Sequence, residues 1–293
     1  LNKLIGVIMR FRESRHAFIG DISKMFHSID IPLRDQMTHL FLWRDYERES
    51  HPNTYAMTAV NMGDRPSATI AQVALRKSAE RFASEYPEAA NLITKNAYMD
   101  DIPASTDSEE NSARLRREID AILNSTGFNI KEWVCSGEDT SQVVSLRSET
   151  NHDSQEQSEG VLGINWVPKR DVLKLEVGAM VVSNQTTKRM ILSAASKLFD
   201  PLGLIAPFTV KMKILMRKIW ALRPKVGWDD DLPRWVKQEW YTLAKELQVV
   251  NTIEFTRSIT PNEVEGKPIL VMFSDGSIEA YGAVGYARWK SKK

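Results

Sequence analysis

Apolar and polar positions along this chain follow two rhythms, one of strands and one of helices. In "RHAFIGDISKMFHSI" the apolar run Ala17 to Gly20 reads as a strand that delivers Asp21 at its end, with a turn or helical continuation through Met25 and Phe26. "SATIAQVALRKSAERFASEY" has the helical period, with Ile70, Val73, Ala74 and Phe82 on one side and Pro87 as its stop. Leu92 and Ile93 before "TKNAYMDDIPAST", and Ile102 with Pro103 at its end, predict a short hairpin. "STDSEENSARLRREIDAILNSTGF" predicts a second helix. Thr106 and Glu109 can form a capping box there, Leu115, Ile119, Ile122 and Leu123 recur at helical spacing, and Gly127 ends the run. "FNIKEWV" then alternates as a strand. Strand, helix, hairpin, helix and strand in this order predict an α+β fold, a sheet with helices packed on one face.

The rhythm breaks from 136 to 160, where "SGEDTSQVVSLRSETNHDSQEQSEG" is polar and poor in aromatics, the pattern of a flexible surface loop. "VLGINWVP" and "VLKLEVGAMVV" resume as strands, and "TTKRMILSAASKLFDPLGL" reads as a helix broken at Asp200-Pro201. A further helix, Phe208 to Leu222, turns Val210, Ile214, Ile219 and Leu222 inward and leaves Lys211, Lys213, Arg217 and Lys218 outside. That basic face, extended by Arg223 and Lys225, either is solvated or tracks a nucleic-acid duplex. The last unit, "KPILVMFSDGSIEAYGAVGYARW", is a strand reaching Asp275, a glycine-containing turn and a second strand.

Composition excludes several classes of function. The 293 residues, 42% apolar and 26% charged, suffice for a real core and for two domains or one large one. No run of eighteen apolar residues occurs, so no membrane partner is expected. One cysteine, Cys135, excludes an internal disulfide, and with five scattered histidines it excludes a zinc finger. A reducing, intracellular setting is the default, and no targeting segment is seen. The absence of Met at position 1 marks the chain as part of something longer. A net charge of +1 announces no nucleic-acid binder through the global field.

The adjacent carboxylates Asp100 and Asp101 carry the sharpest chemical signal. Neighbours on an extended strand point to opposite faces, so both can approach one site only at a tight turn. Joined there by Asp21 from a neighbouring strand, they would repel one another unless divalent cations neutralised them. Oxygen-only ligands favour Mg2+ or Mn2+. Such a site can hold two ions about 3.5 to 4 Å apart for phosphoryl transfer. A solvated turn is the plain alternative.

The surroundings favour the metal. "YMDD" resembles the signature hairpin of reverse transcriptases, "GDISKMF" resembles the segment carrying the family's first acid, and "MGDRPSATIAQVAL" resembles the glycine-containing stretch before the palm helix. "GFNIKEWVCS" followed by "VLGINW" resembles the segments that close the palm and lead into the primer grip. The phrasing "RFR", "GDISKMFHSI" and "YMDDI" is most similar to the Bel/Pao group of long-terminal-repeat retrotransposons, and "SKLFDPLGLIAPFTVKMKILMRKIW" to the segment that follows in their polyproteins. The resemblance implies an RNA-directed DNA polymerase palm over 1–135 with the fingers mostly missing and the polar loop at 136–160. It implies a primer-grip, thumb and connection-like region over 161–265, and the start of a ribonuclease H-like domain over 266–293.

Roles follow from the same resemblance. Asp21, Asp100 and Asp101 are the catalytic metal ligands, with Asp101 the less direct. Ile22, Phe26, Gly63 and Lys131 attend the nucleotide. Phe26 excludes a ribose 2′-OH unless it is simply a core aromatic, Gly63 lets backbone approach, and Lys131 donates a proton to pyrophosphate unless it is merely a solvated charge. Met62 departs from the glutamine that many retroviral enzymes carry. Tyr98 and Met99 lie along the primer end. Asp275 matches the first acid of a ribonuclease H site whose other acids do not follow in this chain. The implied partners are an RNA or DNA template with its primer, deoxynucleoside triphosphates and the rest of the polyprotein, in cytoplasmic particles. Relatives of the Leu198 to Trp220 segment are commonly labelled Pao retrotransposon peptidases, yet neither Asp-Thr-Gly nor Asp-Ser-Gly occurs. The competing reading is a truncated or decayed retroelement fragment that acts at most as an interaction module.

Overall fold

The computed structural model describes residues 2–138, 144–145, 164–175, 177–178 and 185–292. The polar loop predicted at 136–160 therefore lies mostly outside the described residues, as do the flanking parts of the two strands expected after it. The chain divides into two compact units, Leu1–Ser136 and Gly137–Lys293.

The first unit begins with α1 (Leu4–Glu13) and β1 (His16–Ser23), followed by a 3-10 turn, Met25–Ser28. A short α2 (Leu33–Gln36) leads to the hairpin β2 (Leu40–Trp43) and β3 (Asn53–Ala56). Then come α3 (Ser67–Arg81), α4 (Pro87–Asn96), β4 (Asp101–Thr106), α5 (Glu109–Asn124) and β5 (Asn129–Cys135). Strands β1, β4 and β5 form one antiparallel sheet of order β4-β1-β5, separate from the β2–β3 hairpin. Because side chains alternate across a strand, Phe18 and Ile22 of β1 share one face. They pack with Ile102 of β4, with Leu115, Ile119 and Ile122 of α5, and with residues of α3 and α4 in one core. The other face is not bare: Ala17 and Ile19 are buried too, and α1, with Val7, Ile8 and Phe11 buried, packs along β4.

Several expected details change. Asp21 lies inside β1 rather than at its end, since pairing with β5 carries the strand on to Ser23, although pairing with β4 stops at Asp21. Leu92 and Ile93 belong to helix α4, not to a hairpin strand; Pro87 occupies its first turn, where a missing N–H costs nothing, and so starts a helix instead of only stopping one. On α3 the buried positions include Ala71, Gln72, Leu75 and Ala79, whereas Ile70 and Val73 are exposed. The cap of α5 is Ser108, whose hydroxyl accepts from the Asn111 N–H, because Thr106 is still paired in β4. Leu115, Ile119, Ile122 and Leu123 are buried as their spacing predicts, and Gly127 ends the segment at φ +86°, a left-handed conformation suited to glycine.

In the second unit β6 (Val144–Ser145), β7 (Ile164–Val167), β8 (Val172–Leu175) and β9 (Glu254–Thr256) form an antiparallel sheet in that order. Between the last two strands run α6 (Lys188–Lys197), α7 (Ala206–Trp220) and α8 (Arg234–Gln248). Of the α7 residues expected inside, Ile219 is buried, while Met212, Leu215 and Met216 take the other inward positions against α8. The basic face of α7 is largely neutralised within the unit. Lys211 pairs with Glu246 at 2.7 Å, Lys218 with Glu239 at 2.8 Å, and Arg217 donates to the Glu279 carbonyl at 3.0 Å. The chain closes on the long hairpin of β10 (Val264–Gly276) and β11 (Tyr281–Ser291).

Beside β9, Arg257 is fully buried and grips Asp171 with two bonds of 2.6 and 2.8 Å, while the Trp166 indole donates to the same carboxylate at 2.9 Å. Arg257→Met would strand the Asp171 carboxylate beside an apolar side chain and is expected to lower stability by about 3 kcal/mol. Denaturant midpoints for both proteins check it, and an unchanged midpoint would show that the pair carries no structural weight.

Candidate active site

Asp21 and Asp101 are direct partners in the antiparallel ladder of β1 and β4, so their side chains rise from the same face. That face is opposite the one bearing Phe18 and Ile22. Asp100 sits in the turn just before β4, which closes through Tyr98: its N–H donates to the Asp101 carbonyl at 2.9 Å, and the Asp101 N–H returns a bond of 3.1 Å. Met99, inside that turn, adopts a left-handed φ of +53°. A non-glycine residue there needs support from its surroundings. Gln72 of α3, nearly fully buried, supplies it by donating from Nε2 to the Met99 carbonyl at 3.1 Å. A second tie links turn and strand, since the Ile22 N–H donates to the Asp100 carbonyl at 2.8 Å.

Ligand oxygens of Asp21, Asp100 and Asp101 consequently lie within 4.8 Å of one another, and among the described residues this is the single such cluster of metal-ligating side chains. Burial, with the Asp100 and Asp21 charges added, pushes the Asp101 carboxyl up to about 7. Burial also raises Asp100, opposed by its own backbone N–H and reinforced by Asp21. Asp100 Oδ1 is buried and has no hydrogen-bond partner among the described residues. A buried acceptor left unmatched is costly, and a cation between the three carboxylates would satisfy it and remove the repulsion together. The donor set is all oxygen and suits Mg2+ or Mn2+.

The remaining expected site residues are distributed as follows. Phe26 lies in the 3-10 turn after β1, half-buried against the helix-side core. Ile22 is buried in that core, so its link to the site is its backbone. Tyr98 and Met99 form the turn beside Asp100. Gly63 has φ +94° with open space where a side chain would be, so conformation, not crowding, requires glycine there. Lys131 is exposed in β5, where the register jumps from Gly20↔Trp133 to Ile22↔Ile130 and leaves Lys131 and Glu132 opposite Asp21. Asp275 is exposed near the end of β10 and accepts a hydrogen bond from the Gly276 N–H. Gln72 was not foreseen. A long polar residue on a helix face lined by Ala71, Leu75 and Ala79 was the available signal.

Residues 5–138 match the family model described as reverse transcriptase (RNA-dependent DNA polymerase). Residues 187–293 match the Pao retrotransposon-like RNaseH-like domain, a span that takes in α6 to α8 as well as the final hairpin. No curated protein matches the chain. No helix among the described residues is long and apolar enough to cross a membrane.

The raised Asp101 carboxyl fixes a pH dependence. Its protonated form stabilises the metal-free fold fully below the ordinary carboxylate range, and that contribution is lost as pH rises through about 7. Metal-free protein should therefore lose stability between about pH 5 and about pH 8, and Mg2+ should restore more at the upper end than at the lower. Urea midpoints with and without Mg2+ test this; equal metal effects at both pH values would contradict it.

Proposed function

We propose, for a chain that belongs to the Bel/Pao reverse transcriptases and runs from the polymerase region into the ribonuclease H-like domain, that Asp21, Asp100 and Asp101 form a working nucleotidyl-transfer site. The family is that of RNA-directed DNA polymerases, which act on nucleic acid and deoxynucleoside triphosphates. The observation that carries the proposal is the convergence of three carboxylates around an unmatched buried acceptor, Asp100 Oδ1.

The primer 3′-hydroxyl attacks the α-phosphorus of the incoming nucleotide, the bond to the bridging oxygen breaks, and pyrophosphate leaves. Two divalent ions, when bound, supply activation of the hydroxyl and neutralisation of the charge gathering on the phosphates. Asp21 and Asp100 are the residues to hold them, with Asp101 setting the local charge. Lys131, exposed opposite Asp21, is assigned the proton for the departing pyrophosphate, while Tyr98 and Met99 are assigned the primer terminus and Gly63 the backbone approach to the nucleotide. Phe26, in the 3-10 turn after the strand bearing Asp21, is assigned the exclusion of the ribose 2′-hydroxyl. Asp275 is assigned to the ribonuclease H-like domain, and the rest of the polyprotein is the proposed covalent partner.

Primer extension on an RNA template tests the reading. Asp100→Asn removes a charge from the cluster and should slow incorporation by at least about a hundredfold, whereas an unchanged rate would refute the site. Phe26→Val should raise ribonucleotide incorporation by about tenfold or more while leaving deoxynucleotide incorporation nearly intact. If ribonucleotides are rejected as before, Phe26 is a core residue.

A further inference from the structure

On the core face of β1, between Phe18 and Ile22, the backbone one residue before Asp21 is covered by the Trp133 ring. Gly20 and Trp133 are direct partners across β1 and β5. A Cβ on residue 20 would lie 2.6 Å from Cζ3 and 2.7 Å from Cε3 of the Trp133 indole, distances that real carbons do not tolerate. The ring thus occupies the place of a side chain at position 20. It is fixed from two further directions: its edge meets Phe18 at 5.5 Å between centroids with the planes 72° apart, and its Nε1–H donates to both carboxylate oxygens of Asp120 on α5, at 3.1 and 3.2 Å.

This contact comes immediately before a gap in the ladder. After the Gly20↔Trp133 pair the register of β5 shifts, and Asp21 has no partner on that strand; pairing resumes at Ile22↔Ile130. On its β5 side, the backbone leading into Asp21 is therefore located by the indole under Gly20 rather than by a ladder partner of Asp21 itself. We infer that Trp133, anchored by Asp120 and received by the bare backbone of Gly20, is a positioning residue that sets the spacing of Asp21 from Asp100 and Asp101. The inference rests on the carboxylate cluster being a cation site. Trp133 touches no reacting atom; it acts through the β1 backbone.

Binding of Mn2+ alone, followed by the loss of its free-ion paramagnetic signal on titration into the intact chain, separates the inference from the reading it rests on. Trp133→Ala frees the strand, and Gly20→Ala pushes the indole away while keeping it. Each should weaken Mn2+ binding about tenfold, the scale of lost support to metal ligands. Combining Gly20→Ala with Trp133→Leu exchanges bulk across the pair and should return affinity to within about threefold of the unmodified chain, a recovery that general destabilisation does not produce. Unmodified affinity in Gly20→Ala or in Trp133→Ala overturns the positioning role and leaves the cation site standing. Failure of the unmodified chain to bind Mn2+ overturns both.

Discussion

The first unit is organised around a repulsion. Three carboxylates are drawn within 4.8 Å of one another, and at neutral pH this arrangement opposes folding unless a cation or a proton intervenes. Each structural device nearby keeps the acids together against that tendency. The ladder sets Asp21 opposite Asp101, the Tyr98 turn brings Asp100 alongside, and Gln72 and the Ile22 N–H hold the turn from the helix and strand sides. Like-charge pairs and raised carboxyl groups of this kind are concentrated at functional sites.

The core explains why the devices hold. Phe18 and Ile22 alternate with the acid along β1, so packing that buries them against α3, α4 and α5 also sets the direction of Asp21. A register slip of one residue would turn the carboxylate inward and Ile22 outward, which the apolar face forbids. Placement of the carboxylates and packing of the core are in this sense one constraint. The second unit follows a different rule: its basic helix is matched by Glu239, Glu246 and Glu279, so much of its positive charge is committed internally.

Much of this was legible in the residues. The strand before Asp21, the helix of Leu115 and Ile119, the strand of Trp133 and the tight turn at Asp100 follow from local period and turn chemistry. The misses have local causes. Pro87 reads equally as a helix stop and a helix start, and the polar residues around Leu92 and Ile93 obscured α4. Ile70 and Val73 are apolar yet exposed on α3, which shifts the apparent stripe toward solvent, while Gln72 faces the core for a hydrogen bond that no periodicity reveals. The Gly20–Trp133 contact lies between residues far apart in the chain, and only strand pairing brings them together. Phe26 illustrates the limit of motif reasoning, since its position beside the core suits either of the roles open to it.

The reading proposed for the three acids is that they are assembled for divalent cations. Anomalous diffraction from crystals of the chain grown with Mn2+ and a primer-template tests it most directly. Manganese density bound by Asp21 and Asp100 is the expected result. Manganese found elsewhere with this cluster empty would contradict it.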